Sequence, residues 1–488
     1  MAQNTNMKYS VFLFILFSHH LIANNYYVKP SGSDTNNGLS PSTAFLTLQT
    51  ASDVVIAGDT VFVSPGTYAG FDHRETSGTA GNPIVFLADG EVLINQRGPI
   101  RNDGINIENA DYIVIDGFTV NDMPGSGNGI RAVLADHILI RNNSCDNNGE
   151  RGIFTGFTDD ITIEYNLCTN SIDEHGIYVS NSSDRPIIRY NECYGNNNIG
   201  IHMNGDLSTG EDGIIHDAEI YGNIIHDNNR AAGINMDGCL RPKVYNNLIY
   251  NNHSAQGIAL FQGDGAIATR EAEMFNNTII VPTDGRWGIL LASGSHVGTK
   301  IYNNIIINDH SFRGSIAAES AGDGFESDYN IVNDKLSATG DGSTIPFADW
   351  QALGLGQNSM LAGSKVNLFK DPLSPSPNYE LKSGSQAIDN GTISPVLLDL
   401  AGTSRPQNTN FDIGAYERIY CPEKRTLSPL DAPFNGQYYA RDSIILTGNI
   451  DINAYTTFSA QAFENKGQIQ LGAPFVLSFI KMGCEEGE

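Results

Sequence analysis

The chain has 488 residues, 17% of them charged and 40% hydrophobic, with 51 glycines. That mixture describes a folded chain with many tight turns and excludes a disordered one. A formal net charge of −27 leaves nothing to offset phosphate repulsion, which excludes nucleic acid as a partner. A polyanionic substrate would need a local basic patch or a bound cation.

In chain order, the first feature is a leader. Met7-Lys8 is a short basic start, Val11 to Phe17 is an apolar run, and Ala23 offers a cleavage point. Residues 1–23 are therefore expected to be a signal peptide, and the protein to be exported. The apolar run is too short to span a bilayer, and no second span is expected. Leu21 is large for a signal-peptidase site, which leaves the cut position open.

The next feature is a repeat. A glycine, an apolar residue and a stretch of alternation recur, followed by a second apolar strand ending in Asn. The glycines are Gly104, Gly129, Gly152, Gly176, Gly200, Gly233, Gly257, Gly288 and Gly314, at steps of 25, 23, 24, 24, 33, 24, 31 and 26. The asparagines are Asn143, Asn166, Asn191, Asn223, Asn247, Asn277, Asn304 and Asn330. Period-2 alternation and the density of Gly and Asn exclude helical repeats. Such a period predicts an all-β fold, a right-handed parallel β-helix over residues 24–335, whose coils bury one face only when stacked about 4.8 Å apart. Ile130, Ile153, Ile177, Ile201, Ile234, Ile258 and Ile289 should form one inward stack. Ala132, Thr155, Val179, Met203, Met236, Leu260 and Leu291 should form another. The asparagines should make a hydrogen-bonded ladder. Of six cysteines, Cys145, Cys168 and Cys193 share one repeat position and should stack as buried free thiols, while Cys421 and Cys484 are left to pair.

The flanks sharpen this reading. Tyr26-Tyr27-Val28-Lys29-Pro30-Ser31-Gly32-Ser33-Asp34 is followed by a short helical stretch within Pro41 to Val55, expected to plug the N-terminal end. Asp59-Thr60-Val61-Phe62-Val63-Ser64-Pro65-Gly66-Thr67-Tyr68 reads as the first coil. On these residues the sequence resembles the pectate-lyase-like right-handed β-helix superfamily, over most of residues 25–335. The resemblance implies a bacterial protein, secreted or attached to the cell surface, that acts on polysaccharides as a lyase, hydrolase or uronan epimerase. Arg405-Pro406-Gln407 through Asp412-Ile413-Gly414-Ala415-Tyr416-Glu417 resembles the segment that closes many bacterial β-helices, so residues 336–418 are read as a C-terminal cap. Residues 419–488 form a small β-rich region similar to cell-surface modules of the Bacteroidetes group, for anchoring, secretion or passive extension.

Alternation also identifies the outward positions of the glycine-marked strand. One column runs Arg131, Phe154, Tyr178, His202, Asn235, Ala259, Leu290, and the next Val133, Gly156, Ser180, Asn204, Asp237, Phe261, Ala292. The glycines are expected to leave a shallow trough beside them. Polar and titratable groups gather on the central coils, where His175 also opens a strand beside Asp173 and Glu174. A solvated face would carry Ser, Thr, Lys and Glu; His, Tyr and Asp together supply a base, an acid and a charge stabiliser. The catalytic candidates are His175, Tyr178, His202 and Asp237. The long steps place loops at Gly205 to Ile215 and Gln262 to Arg270 as walls.

For a uronate, carboxylate neutralisation falls to Arg131, Arg151 and Asn204, proton abstraction to His202 or His175, and protonation of the leaving oxygen to Tyr178. Asn235 lies beside them, and Phe154, Tyr178 and Trp287 are placed to stack on sugars. A hydrolase would instead pair Asp237 with Asp206 or Glu174. The pectate-lyase pattern of aligned Asp with a following Arg is missing, as is the Asp trio of a polygalacturonase, so no catalytic residue carries over from the resemblance. Asp206, Glu211 and Asp212 offer oxygen ligands for Ca²⁺ without the regular spacing of a calcium loop, and no other cofactor is expected. The protein is read as a monomer. Set against the enzyme is a glycan-binding or adhesin-like solenoid on the same scaffold.

Overall fold

The computed structural model describes residues 23–419, except Ser293 and residues 319–322, together with short strands between residues 424 and 478. Residues 1–22 of the expected leader, and Cys421 with Cys484, lie outside the described residues.

From Asn25 onward the chain winds through three parallel sheets of 12, 10 and 12 strands. One central coil shows the plan: strand Ile177–Ser180 enters the ten-stranded sheet, Ile187–Arg189 the first twelve-stranded sheet and Glu192–Tyr194 the second. Neighbouring coils pair in strict register, Ile153 on Ile177, Ile177 on Ile201, and Ile201 on Ile234. This is the expected parallel β-helix, and both inward columns are fully buried from Ile130 and Ala132 to Ile289 and Leu291. A side chain of this size contributes roughly 1.5–3 kcal/mol when taken out of water.

The asparagine ladder forms as expected. From Asn143 to Asn330 each Nδ2 donates to Oδ1 of the Asn one coil on, at 2.9–3.1 Å. A second, shorter ladder was not anticipated: Asn196 to Asn228 to Asn252, at 2.9 Å per step. Its signal was an Asn five residues after Asn191, Asn223 and Asn247. Cys145, Cys168 and Cys193 stack in register as buried free thiols.

Two expectations about the glycines need correction. They do not open an outward trough. A Cβ at Gly129, Gly152, Gly176 or Gly200 would sit 2.4–3.2 Å from the inward side chains of Cys145, Cys168, Cys193 or Ile225, so these glycines make room for the core at the bend. In the last such coil Ile289 pairs with Ile316 and its N–H bonds the Ser315 carbonyl, so Ser315 holds the place assigned to Gly314.

The N-terminal end is covered by helix Leu48–Ser52, which buries Leu48 and Ala51. The stretch expected to cap the far end divides in two. Helix Phe347–Ala352 places Phe347 and Trp350 against the main core. Beyond it, Leu368, Phe369, Tyr379, Leu381 and Ile413 pack instead on Leu248, Ile280, Ile305, Ile307 and Ile331 along the flank of the solenoid. Those solenoid residues are apolar at outward positions because this segment covers them.

In the C-terminal region, strands Lys424–Leu427, Ser443–Leu446 and Ala462–Asn465 pair in parallel at a step of 19 residues. The β content was expected and the short parallel repeat was not.

Candidate functional site

The ten-stranded sheet brings Tyr178 and His202 side by side, because their strands pair residue for residue. Their rings stack at 4.6 Å between centroids and 8° between planes, both partly exposed. His175, at the bend before strand Ile177–Ser180, is 5% exposed and meets both rings edge-on at 5.1 and 4.7 Å. Three of the four catalytic candidates therefore form one cluster.

The hydrogen bonds around it have a direction. The Ile199 backbone N–H, which can only donate, points at Nδ1 of His175 at 3.3 Å. That nitrogen must be the acceptor, so in the neutral ring Nε2 of His175 carries the proton. Nε2 lies 3.1 Å from Nδ1 of His202, which is then an acceptor in turn. The second proton of the pair is left on Nε2 of His202. Both rings are held neutral: burial, then the positive Arg151, pushes His202 down to about 3, and burial, His202 and Arg151 hold His175 well below the usual imidazole range.

Tyr178 is held from two further directions. Asn204 Nδ2 donates to its Oη at 3.0 Å. The Arg151 guanidinium lies 4.9 Å from its ring centre and 4.8 Å from that of Phe154. Both Arg151 Nη groups are already paired, one with Glu150 at 2.8 Å and one with Glu174 at 2.5 Å. Arg151 thus buttresses the aromatic pair, and the expectation that it takes up a substrate carboxylate is corrected by those two ion pairs. Asn204 is buried, and its amide also approaches Asp264 at 3.4 Å. Asn235 follows His202 in register, and its buried Oδ1 has no partner.

The two long loops do wall this face and are joined to each other. Leu207 N–H donates to the Asp264 carbonyl, and Ala266 N–H to that of Gly213, both at 2.9 Å. Asp237 explains how. Its carboxylate is 6% exposed and accepts from the backbone N–H of Gly263, Asp264 and Gly265 at 2.8–3.2 Å. Asp237 is therefore an anchor for the wall and not a group presented to substrate, a correction to its catalytic assignment. The exposed acid here is Asp264, which sequence reasoning missed because its loop has no repeat register to place it.

Trp287 also differs from expectation. It is fully buried, packed with Ala259 and Leu290, and its indole N–H donates to Asp341 at 2.7 Å, so no sugar can stack on it. Arg131 lies on the same face two coils before Tyr178, bonded to Asn106 and Glu108 at 2.6 and 2.8 Å.

The acidic loop residues do not converge. Asp206 accepts from Ser208 N–H and from Asn181, and Asp212 from Ile214 N–H. Burial and like charges on Asp159, Asp212, Asp184 and Asp136 hold the Glu211 carboxyl above its usual range. Among the described residues no group of three or more His, Cys, Asp or Glu side chains is arranged to hold a metal ion.

Comparison with known proteins fits this architecture. Pectate lyase Pel9A has a similar structure at 15% identity, covering 81% of this chain and 96% of that one with a TM-score of 0.52. A rhamnogalacturonan lyase matches at 16% identity, 58% and 82% coverage and TM-score 0.45. An alginate lyase from a Paenibacillus species matches at 18% identity, 52% and 90% coverage and TM-score 0.40. Residues 52–259 match the family described as periplasmic copper-binding protein (NosD). No curated protein matches the chain. The chain has a right-handed parallel β-helix fold, similar to that of pectate lyase Pel9A. The described side chains do not suit copper: the stacked thiols are buried in the core and the two histidines bond each other, so no step below runs through a metal.

Proposed function

We propose that this is an exported polysaccharide lyase that cleaves a uronate-containing glycan by β-elimination on the outer face of the ten-stranded sheet. The observation that carries the reading is the directed chain Ile199 N–H to His175 to His202, which leaves a proton on Nε2 of a ring stacked on Tyr178. The sequence suggested His202 as the base and Tyr178 as the acid. The proton positions favour a different division of labour.

In this reading the Nε2–H of His202 and the amide of Asn235 donate to the uronate carboxylate, and these bonds strengthen as charge develops there. Tyr178, entering as phenolate, takes the proton α to that carboxylate. Asn204 donates to its oxygen and holds it in place. The C–O bond to the leaving sugar breaks as the double bond forms, and Tyr178 returns the same proton to the departing oxygen. One proton moves from carbon to oxygen, and no co-reactant is required.

A hydrolase needs two free carboxyls flanking the bond, and the burial of Asp237 removes the pairing suggested by the sequence. The reading is tested on a panel of uronate polysaccharides and neutral glycans, following ultraviolet absorbance of unsaturated ends together with reducing ends. Both signals rising on a uronate polymer support the lyase. Binding without turnover would favour the adhesin-like alternative.

A further inference from the structure

Three arginines converge on the same sheet face, toward its N-terminal end. Arg74 Nη2 lies 2.8 Å from Glu108 Oε1, while Arg101 Nη2 and Arg131 Nη1 lie 2.6 and 2.8 Å from Oε2. One guanidinium would neutralise Glu108, whose carboxyl Arg101 and Arg131 hold below its usual range against the opposing effect of burial. Three leave cationic donors over, since each guanidinium has five N–H groups. The Arg74 and Arg101 side chains are 35% and 44% exposed, so their remaining N–H groups can meet a ligand. Two other acids nearby are buried and turned elsewhere: Asp72 accepts from the Ile100 and Arg101 N–H groups and Asn106, and Asp103 from Asn128. In a chain of net charge −27, this gathers three arginines at one carboxylate on the face that carries the His–Tyr cluster.

Register gives the spacing. Arg131 pairs with Phe154, and Phe154 with Tyr178. Two coils put Arg131 about 10 Å along the face from Tyr178, and Arg74, two strands further on through Glu108, lies about 20 Å away. We infer that Arg74, Arg101 and Arg131 form a second anion subsite, which takes a carboxylate or sulfate on another unit of the glycan chain whose uronate lies at Tyr178. The inference rests on the proposed lyase site. It narrows the substrate class to a glycan with repeated negative charge, and it makes a long chain a better ligand than a short one. The arginines also supply the basic patch without which an acidic protein would repel such a polymer.

The test compares the full chain with the Arg74→Gln/Arg101→Gln double variant. Both positions are partly exposed, and circular dichroism melts check that the variant folds. Calorimetric titration with polygalacturonate, alginate, chondroitin sulfate and a neutral galactan is run at low and high salt. The expected result is binding of at least one polyanion, weakened about tenfold or more in the variant and with a shallower salt dependence. The uronate polymers and the sulfated one show which anion the subsite takes. An Arg74→Lys/Arg101→Lys variant, which keeps the charge, should recover part of the affinity. Equal affinity of wild type and the Gln variant, or no polyanion binding by wild type, would overturn the subsite. Binding that depends on the arginines without any unsaturated product would keep the subsite and reject the lyase. Turnover of a uronate polymer with a KM unchanged in the Gln variant would do the reverse.

Discussion

Nε2 of His175 stands 3.1 Å from Nδ1 of His202, although 27 residues separate them in the chain. The coil step produces this contact, and desolvation together with the positive Arg151 keeps both rings neutral. An unfolded histidine takes up a proton as the pH falls below about 6.5, whereas native His202 does so only near 3. The unfolded state therefore binds more protons across that window, and stability must fall as the pH drops through it. Melting temperatures measured at about pH 7 and about pH 4.5 should fall further for wild type than for His202→Gln, by a few degrees. Equal falls would contradict the neutral pair.

Asp237 should behave as an anchor. Asp237→Asn loses a charge-assisted acceptor for the N–H groups of Gly263, Asp264 and Gly265, at a cost of about 2 kcal/mol. Hydrogen exchange should speed up over residues 262–270, and KM should rise more than kcat falls. A drop in kcat of about 10² or more with exchange unchanged would restore Asp237 to the chemistry.

Trp287→Ala should destabilise the protein by about 3–5 kcal/mol, because it empties a fully buried position. Denaturant melts check this directly. An unchanged midpoint together with weakened glycan binding would indicate an exposed stacking platform instead.

The stack itself is tested by contrast. Ile201→Asp places an unpaired charge between coils and should abolish the cooperative melt. Asn223→Ala removes one rung of the ladder, and should cost about 1–3 kcal/mol through the acceptors and donors it leaves unmet. Equal melts for Ile201→Asp and wild type would refute the inward assignment.

Much of this fold was legible because a solenoid repeats its constraints. Ile201 could be placed inside, and Tyr178 beside His202, from the step between glycines alone. What the period does not govern was lost. Asp237 sits correctly in its column, but the loop that consumes its carboxylate returns from residues 263–265, outside the repeat. Trp287 precedes its glycine like His175, and only the Asp341 contact and the packing on Ala259 show that it is covered. The apolar outward positions Ile305 and Ile307 signalled a partner surface, yet a long apolar strand run does not say which later segment lies on it. Proton positions in the His175–His202 pair depend on the backbone N–H of Ile199, which no side-chain pattern encodes.

The most direct test of the lyase reading is the rate of unsaturated-product formation on whichever uronate polysaccharide wild type cleaves, repeated with Tyr178→Phe. The hydroxyl is the only group removed, and ring packing on His202 and Phe154 is kept. The account predicts kcat lower by about 10²–10⁴ with the melting temperature unchanged. A Tyr178→Phe rate equal to wild type, or reducing ends released with no unsaturated product, would contradict it.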